Sequence, residues 1–177
     1  MGSTTPTLAS SEEYLNTTYE PDMEFVDGVL VRRNAGTQLH GLLQTIVGAY
    51  LRQYRHSHRM KVFTETRLLV KGHYRIPDVM VLQPPWRKGR VVTDVPIVAI
   101  EIKSPDDTFD DIVDKCFEYE NLGVGNILVM DPDNKRAFLF EESNLRHLSG
   151  TSVALRLHDD AMLDFPFAEM FAELDED

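Results

Sequence analysis

Two charged residues stand at the end of a run that is otherwise apolar. Residues 97–103 have the sequence Ile-Val-Ala-Ile-Glu-Ile-Lys, which is typical of a buried central strand except for Glu101 and Lys103. Because side chains alternate between the two faces of a strand, these two residues leave the same face. Burying a charge costs free energy unless the charge is paired or binds an ion. The pair is therefore either part of a metal site or a simple cross-strand ion pair.

Asp78 offers a second carboxylate in a similar position. It follows Pro77 near the beginning of another apolar run, residues 76–82, which predicts a strand. If the two strands are neighbours, Asp78 and Glu101 lie close enough to share one ion, and the backbone carbonyl of Ile102 adds a third oxygen. Such oxygens are the ligands that Mg²⁺ prefers. The pattern predicts a Mg²⁺ site, with Mn²⁺ as the alternative ion, unless Asp78 merely begins a strand after Pro77.

These groups suit the hydrolysis of a phosphodiester. A divalent ion polarises the phosphodiester and acidifies a bound water. An ammonium beside the ion orients or deprotonates that water and stabilises the developing negative charge. The spacing assigns this role to Lys103.

Three further residues are weaker candidates for the same site. Glu24 lies in the first strand of a predicted hairpin and either binds a second metal or a water, or faces solvent. His40 lies in the longest amphipathic helix, where a surface position is the alternative. Lys115 stands four residues after Asp111 on a predicted helix, a spacing that also suits an ordinary ion pair. We expect Tyr119 to belong to the core.

The elements that position these residues follow from periodicity and turn residues. Apolar residues at helical spacing predict helices over about 39–54 and about 108–122, and a capping box predicts a short helix over about 10–19. Asp-Gly predicts a tight turn within a hairpin at 23–31. Short β-rich runs predict further strands at 61–64, 67–70, 76–82, 97–103, 126–130 and 136–140, followed by two weaker strands and a short C-terminal helix. We predict an α/β (α+β) fold, a mixed sheet flanked by helices, in one domain over residues 1–177 with an acidic tail.

Composition limits the classes of function. The chain has 177 residues and no run of about 18 apolar residues that could form a membrane helix. Its N-terminus has no basic start followed by an apolar segment, so we expect no secretion signal, no membrane partner and a cytoplasmic location. The single cysteine, Cys116, excludes an internal disulfide and a thiolate metal cluster within one chain.

The net charge of −11 is unevenly distributed along the chain. Residues 1–100 carry 12 Lys and Arg against 9 Asp and Glu, whereas residues 101–177 carry 6 against 20. Two basic stretches, at 52–61 and 87–90, could contact phosphate, although solvated faces are the simpler interpretation. The negative net charge argues against a protein that coats nucleic acid, but it is compatible with local contacts to DNA.

Pro77-Asp78 followed by Glu101-Ile102-Lys103 resembles the Pro-Asp…(Asp/Glu)-x-Lys signature of PD-(D/E)xK nucleases. Over about residues 20–140 the chain resembles the bacterial Uma2 family. The similarity lies in the hairpin around Asp27-Gly28, in His40 of the long helix and in residues 104–132, which follow Lys103. This resemblance implies a restriction endonuclease-like fold and a metal-dependent endonuclease. In many members an apolar residue stands where this chain has Lys103, and a lysine on the following helix substitutes. Here both Lys103 and Lys115 are present, so either could act.

Two hypotheses from different classes follow. The first is a Mg²⁺-dependent endonuclease acting on DNA, which by analogy is a homodimer because two sites are needed to cut both strands. The second is a non-catalytic module that binds nucleic acid or protein and retains the nuclease fold. The complete set of signature side chains favours the enzyme, whereas the overall acidity favours the binding module.

Overall fold

The computed structural model describes residues 7–34 and 36–176, so Asp177 of the predicted acidic tail lies outside the described residues. The described helices are α1 (Ser11–Asn16), α2 (Gln38–Gln53), α3 (Phe109–Leu122) and α4 (Phe167–Ala172). The described strands are β1 (Met23–Val26), β2 (Val29–Arg32), β3 (Lys61–Thr64), β4 (Leu68–Val70), β5 (His73–Arg75), β6 (Val79–Leu82), β7 (Val98–Ile102), β8 (Asn126–Asp131), β9 (Arg136–Glu141), β10 (Asn144–His147), β11 (Val153–Arg156) and β12 (Met162–Phe165). None of the described helices is both long enough and apolar enough to cross a membrane.

A six-stranded mixed sheet in the order β10-β9-β8-β7-β6-β3 forms the centre of the fold. β7 and β8 are parallel and are connected through α3, whereas the other neighbouring strands are antiparallel. Every residue of β6 and β7 is buried, as expected for strands covered on both faces. The predicted α/β (α+β) fold, a mixed sheet flanked by helices, is confirmed.

The two long helices cover opposite faces of this sheet. α2 packs Leu43, Val47 and Leu51 onto one face, together with β11, β12 and α4. α3 packs Ile112 and Cys116 onto the other face. Burial of each leucine, valine or isoleucine side chain contributes about 1.5–3 kcal/mol, so apolar packing fixes both helices relative to the sheet.

A smaller sheet in the order β2-β1-β5-β4 lies beside the main one. Asp27 and Gly28 connect β1 to β2 with φ of 49° and 80°, the left-handed conformations that a tight turn of this kind requires. The predicted hairpin is therefore confirmed. Phe25 and Tyr74 pack with Tyr14 of α1 into a separate apolar cluster.

Several boundaries differ from those predicted. α1 ends at Asn16 because two threonines and then Pro21 follow, all of which disfavour a helix. β6 begins at Val79 because Pro77 has no N–H to donate to a neighbouring strand. β5 is an additional strand that periodicity does not predict, and it pairs with β4 through a turn at Lys71-Gly72 where both residues have positive φ.

Candidate active site

A cavity of about 620 Å³ opens at the end of the main sheet where β6 begins and β7 ends. Its walls come from the β1–β2 hairpin, the first turns of α2 and the first two turns of α3. The carboxylates that line it are Glu24, Glu65, Asp78, Glu101, Asp107, Asp111 and Asp114, and the basic side chains are Arg32, Arg33, His40, Arg75 and Lys115. Acidic side chains are in excess, so the cavity attracts cations.

Asp78 is buried immediately before β6, and its carboxylate has three partners. Its Oδ2 accepts a hydrogen bond of 2.6 Å from the backbone N–H of Ile102 and lies 3.3 Å from Nε2 of His40. Its Oδ1 accepts a hydrogen bond of 2.8 Å from Arg33. Burial alone would raise the pKa of Asp78, but these partners lower it, so the carboxylate is charged. Burial would likewise lower the pKa of His40, but Asp78 raises it above its ordinary value.

β6 and β7 are antiparallel and pair with Val79 opposite Ile100. Extending this register by one residue places Glu101 opposite Asp78. Its Oε1 accepts a hydrogen bond of 2.6 Å from the Tyr119 hydroxyl. Burial, opposed by Lys115 and reinforced by the charge of Asp78, raises the pKa of Glu101 to about 7. Near neutral pH this carboxyl therefore exchanges a proton readily, and a cation beside it would favour the charged form.

Lys115 joins two acids of different sheets. Its Nζ lies 3.3 Å from Oε2 of Glu101 and 3.3 Å from Oε1 of Glu24. Burial alone would lower the pKa of Lys115, but the carboxylates of Glu101 and Glu24 raise it, so the ammonium remains charged. The helix α3 thus places a fixed positive charge between β1 and β7.

Glu24 is held by a second buried cation. It accepts hydrogen bonds of 2.9 Å from Arg75 and 3.0 Å from the backbone N–H of Ile76. Arg75 also donates two hydrogen bonds, of 2.8 and 2.6 Å, to Glu118 of α3. Glu24, Arg75 and Glu118 are thus joined by charge-assisted hydrogen bonds. These bonds fix the orientation of the Glu24 carboxylate.

Lys103 lies apart from these groups. Its Nζ donates to the backbone carbonyl of Ser104 at 3.0 Å and lies 5.9 Å from the centre of the Phe109 ring, and the residue does not line the cavity. A strand advances about 3.3 Å per residue, so Lys103 begins about 7 Å beyond Glu101. The expected placement of Lys103 beside the two carboxylates is therefore not observed. The cavity does bring together the other predicted residues, which are Asp78, Glu101, Glu24, His40, Lys115 and Ile102.

The donor atoms fit a divalent cation that takes oxygen ligands. Continuing the register of β6 and β7 sets Ile102 opposite Pro77, which has no N–H and so cannot donate to the Ile102 carbonyl. That carbonyl points to the same side as the Ile102 N–H, which binds Asp78. Among the described residues no three His, Cys, Asp or Glu side chains enclose an ion by themselves. A divalent ion between Asp78 and Glu101 would find in this carbonyl a third protein oxygen of the kind that Mg²⁺ prefers.

Sequence reasoning missed several residues of this site. Arg33 and Gln44 reach Asp78 from the β2–α2 loop and from α2, and Gln44 donates 2.9 Å to the Asp78 carbonyl and 2.7 Å to Glu65. These contacts carry no signature because they join distant parts of the chain. Tyr119 is buried as predicted, but it also binds Glu101. Its four-residue spacing from Lys115 on one helix face was the signal that could have revealed it.

Comparisons with known proteins match the chain to one family. The family model named Uma2, described as "Putative restriction endonuclease", matches residues 11–164. A crystal structure described as a "putative nuclease belonging to DUF820 from Anabaena variabilis ATCC 29413" is similar with a TM-score of 0.79 and 18% identity, covering 92% of this chain and 97% of that chain. At this identity the likeness concerns the fold.

Two other comparisons are less informative. The structure titled "cryoEM structure DrdV-DNA complex" has a TM-score of 0.39 and 17% identity, covering 77% of this chain and 13% of that chain, a similarity too low to support an inference. No curated protein matches the chain significantly.

Proposed function

The chain belongs to the Uma2 family, as its motifs predict, and on this premise we propose that it is a Mg²⁺-dependent endonuclease that hydrolyses phosphodiester bonds of DNA. One observation carries the proposal. The buried carboxylates of Asp78 and Glu101 face each other on neighbouring strands, next to a carbonyl that Pro77 leaves without a donor and a buried, charged Lys115. Together these are the oxygen ligands and the ammonium that phosphodiester hydrolysis requires.

Each residue has a distinct role in this proposal. Asp78, Glu101 and the Ile102 carbonyl hold Mg²⁺, with Mn²⁺ as the alternative ion. When bound, the ion polarises the phosphodiester and makes a bound water more acidic. Tyr119 orients Glu101 through its 2.6 Å hydrogen bond, and His40 orients Asp78.

Lys115 is the ammonium that we assign to the reaction. Because its pKa is raised, it is a poor general base, and its contribution is to orient the nucleophilic water and to stabilise negative charge that develops on the phosphate. Glu24 binds Lys115 at 3.3 Å and so positions its Nζ. Lys103, whose Nζ is engaged by the Ser104 carbonyl, has no direct part in this mechanism.

The proposal is tested by cleavage assays on supercoiled, linear, branched and single-stranded DNA with Mg²⁺ or Mn²⁺. Wild type should cut at least one substrate, and Asp78→Ala should lose the activity. Asp133→Ala, which removes an exposed carboxylate from the β8–β9 turn, is the matched control and should cut like wild type. Equal activity in wild type and Asp78→Ala would assign the cleavage to another site or to a contaminant.

A specific observation favours the alternative, a non-catalytic module that binds nucleic acid or protein. Each central carboxylate already has a cationic partner in the chain: Arg33 for Asp78, Lys115 for Glu101 and Arg75 for Glu24. Tight DNA binding without cleavage under any of the assay conditions would support this module over the enzyme.

We also propose a homodimer, because cutting both strands of a duplex needs two such sites. Sedimentation equilibrium across a range of concentrations measures the mass. A monomer that nevertheless linearises supercoiled DNA in one step would contradict the dimer.

A further inference from the structure

Arg33 crosses the cavity from the small sheet to the main sheet. It follows the last residue of β2, and its Nη2 donates to Oδ1 of Asp78 at 2.8 Å while its Nη1 contacts Glu65. The side chain of Arg33 is 17% exposed, compared with 4% for Asp78 and 42% for Glu65. The guanidinium therefore lies between a buried carboxylate and an exposed one.

Arg33 occupies the oxygen of Asp78 that is least committed to other partners. Oδ2 already receives the Ile102 N–H at 2.6 Å and lies near His40, whereas Arg33 is the one side chain that donates to Oδ1 among the described residues. A cation that binds Asp78 competes with the guanidinium, because both are positively charged and Oδ1 is the oxygen that the Ile102 N–H and His40 leave open. Arg33 and a bound divalent ion thus oppose each other at this site.

A displaced Arg33 would be well suited to a second ligand. Its planar fork of N–H donors matches two phosphate oxygens, a geometry that lysine cannot reproduce. Glu65 remains a partner on the exposed side and keeps the guanidinium near the cavity. The remaining lining is mainly acidic, so a freed arginine is valuable for binding a polyanion there.

We propose that Arg33 is a substrate-binding residue that exchanges partners: it neutralises Asp78 in the absence of metal, and it binds a DNA phosphate once a divalent ion occupies that carboxylate. This inference rests on the proposed function, because it takes the Asp78 cavity as the metal and DNA site. It predicts opposite effects of Arg33 on the two ligands. Removing the guanidinium strengthens metal binding and weakens DNA binding.

The first measurement is a calorimetric titration of Mn²⁺ into wild type, Asp78→Ala, Arg33→Ala and Arg33→Lys. Arg33→Ala should bind Mn²⁺ tighter than wild type by about fivefold or more, because it removes a positive charge that lies within hydrogen-bond distance of the Asp78 carboxylate. Arg33→Lys keeps the charge and should stay near wild type. Arg32→Ala is the charge-matched control, because the adjacent Arg32 lines the same cavity but is exposed, and it should change the affinity much less.

The second measurement is the salt dependence of DNA binding in Ca²⁺, with a fluorescent duplex whose integrity is checked on a gel. Each phosphate contact contributes about one to the slope of log affinity against log salt. Arg33→Ala should lower this slope by about one. Arg33→Lys should weaken binding at fixed salt, because it loses the fork, while its slope stays close to that of wild type.

The outcomes separate this inference from the proposed function. If wild type binds Mn²⁺ no better than Asp78→Ala, the cavity is not the metal site and both proposals are overturned. If wild type binds Mn²⁺ through Asp78 but Arg33→Ala binds it equally well or more weakly, only the role of Arg33 is overturned. Opposite changes in metal and DNA affinity would support it, since a purely structural arginine would weaken both.

Discussion

Glu101→Gln should remove a large pH dependence of stability between about pH 4.5 and 7. Burial is the main cause that raises the pKa of Glu101 from 4.5 to about 7. A carboxyl with a raised pKa binds its proton more tightly in the folded state, so its stabilising contribution is complete below pH 4.5 and is lost as pH rises through about 7. At about 1.4 kcal/mol per pH unit, the loss over this interval is about 3 kcal/mol.

Urea unfolding of metal-free protein measures this effect directly. Wild type should lose about 3 kcal/mol more than Glu101→Gln between about pH 4.5 and about pH 8. Glu169→Gln, which changes an exposed glutamate of α4, should retain the pH dependence of wild type. Other titrating groups, such as His40, are present in all three proteins, so their contributions cancel in the comparison.

Equal pH slopes for wild type and Glu101→Gln would refute the reasoning. That result would mean that Glu101 is ionised at low pH in the folded protein. Its neighbours, above all Lys115, would then outweigh the effect of burial.

Three further results are expected. Mn²⁺ or Ca²⁺, at about 100 times the dissociation constant of the ion, should stabilise wild type by about 2.7 kcal/mol in thermal unfolding and should not stabilise Asp78→Ala. Equal shifts in both proteins would mean that the ion binds elsewhere, such as on the acidic C-terminal half. Lys115→Met should lower the cleavage rate in single-turnover assays by about 10²-fold or more, while Lys103→Met changes it much less. The reverse ranking would identify Lys103 as the ammonium that acts in the reaction. Arg75→Met should destabilise the protein by about 2 kcal/mol or more in urea, because it removes the charge-assisted hydrogen bonds to the buried Glu24 and to Glu118 and leaves Lys115 as the remaining cation beside Glu24. Arg146→Met, which breaks an exposed pair, should cost less than about 1 kcal/mol, and similar losses in both would show that Arg75 is not held in a buried network.

Local patterns predicted those parts of the site that depend on local structure. The apolar run before Glu101 defines a buried strand, so its charge was conspicuous, and Pro77 marked the position of Asp78 in the same way. The Asp27-Gly28 turn followed from the left-handed conformations that these two residues tolerate. In each case the information lies within a few residues of the chain.

Contacts between distant elements could not be predicted in this way. Arg33 and Asp78 are separated by 45 positions in the chain. The contact between the two sheets that brings them together cannot be recognised from the spacing of apolar residues. The position of Lys103 could not be predicted for a different reason. Strand alternation predicts the face of the sheet from which a side chain projects. It does not predict where the Nζ of Lys103 lies, which depends on the end of β7 and on the ring of Phe109. Lys115 enters the cavity because α3 packs over β8 and β4, which brings its side chain to Glu101.

The small sheet is attached to the rest of the protein in two unlike ways. At one edge β4 inserts Leu68 and Val70 into the apolar core beneath α3, whereas at the other edge the β1–β2 hairpin meets the cavity through the contacts of Glu24 and Arg33 with charged partners. Apolar packing does not depend on charge, whereas an ion pair depends on the charge of both partners. The hairpin edge therefore responds to a change of charge in the cavity, to which the β4 edge is indifferent.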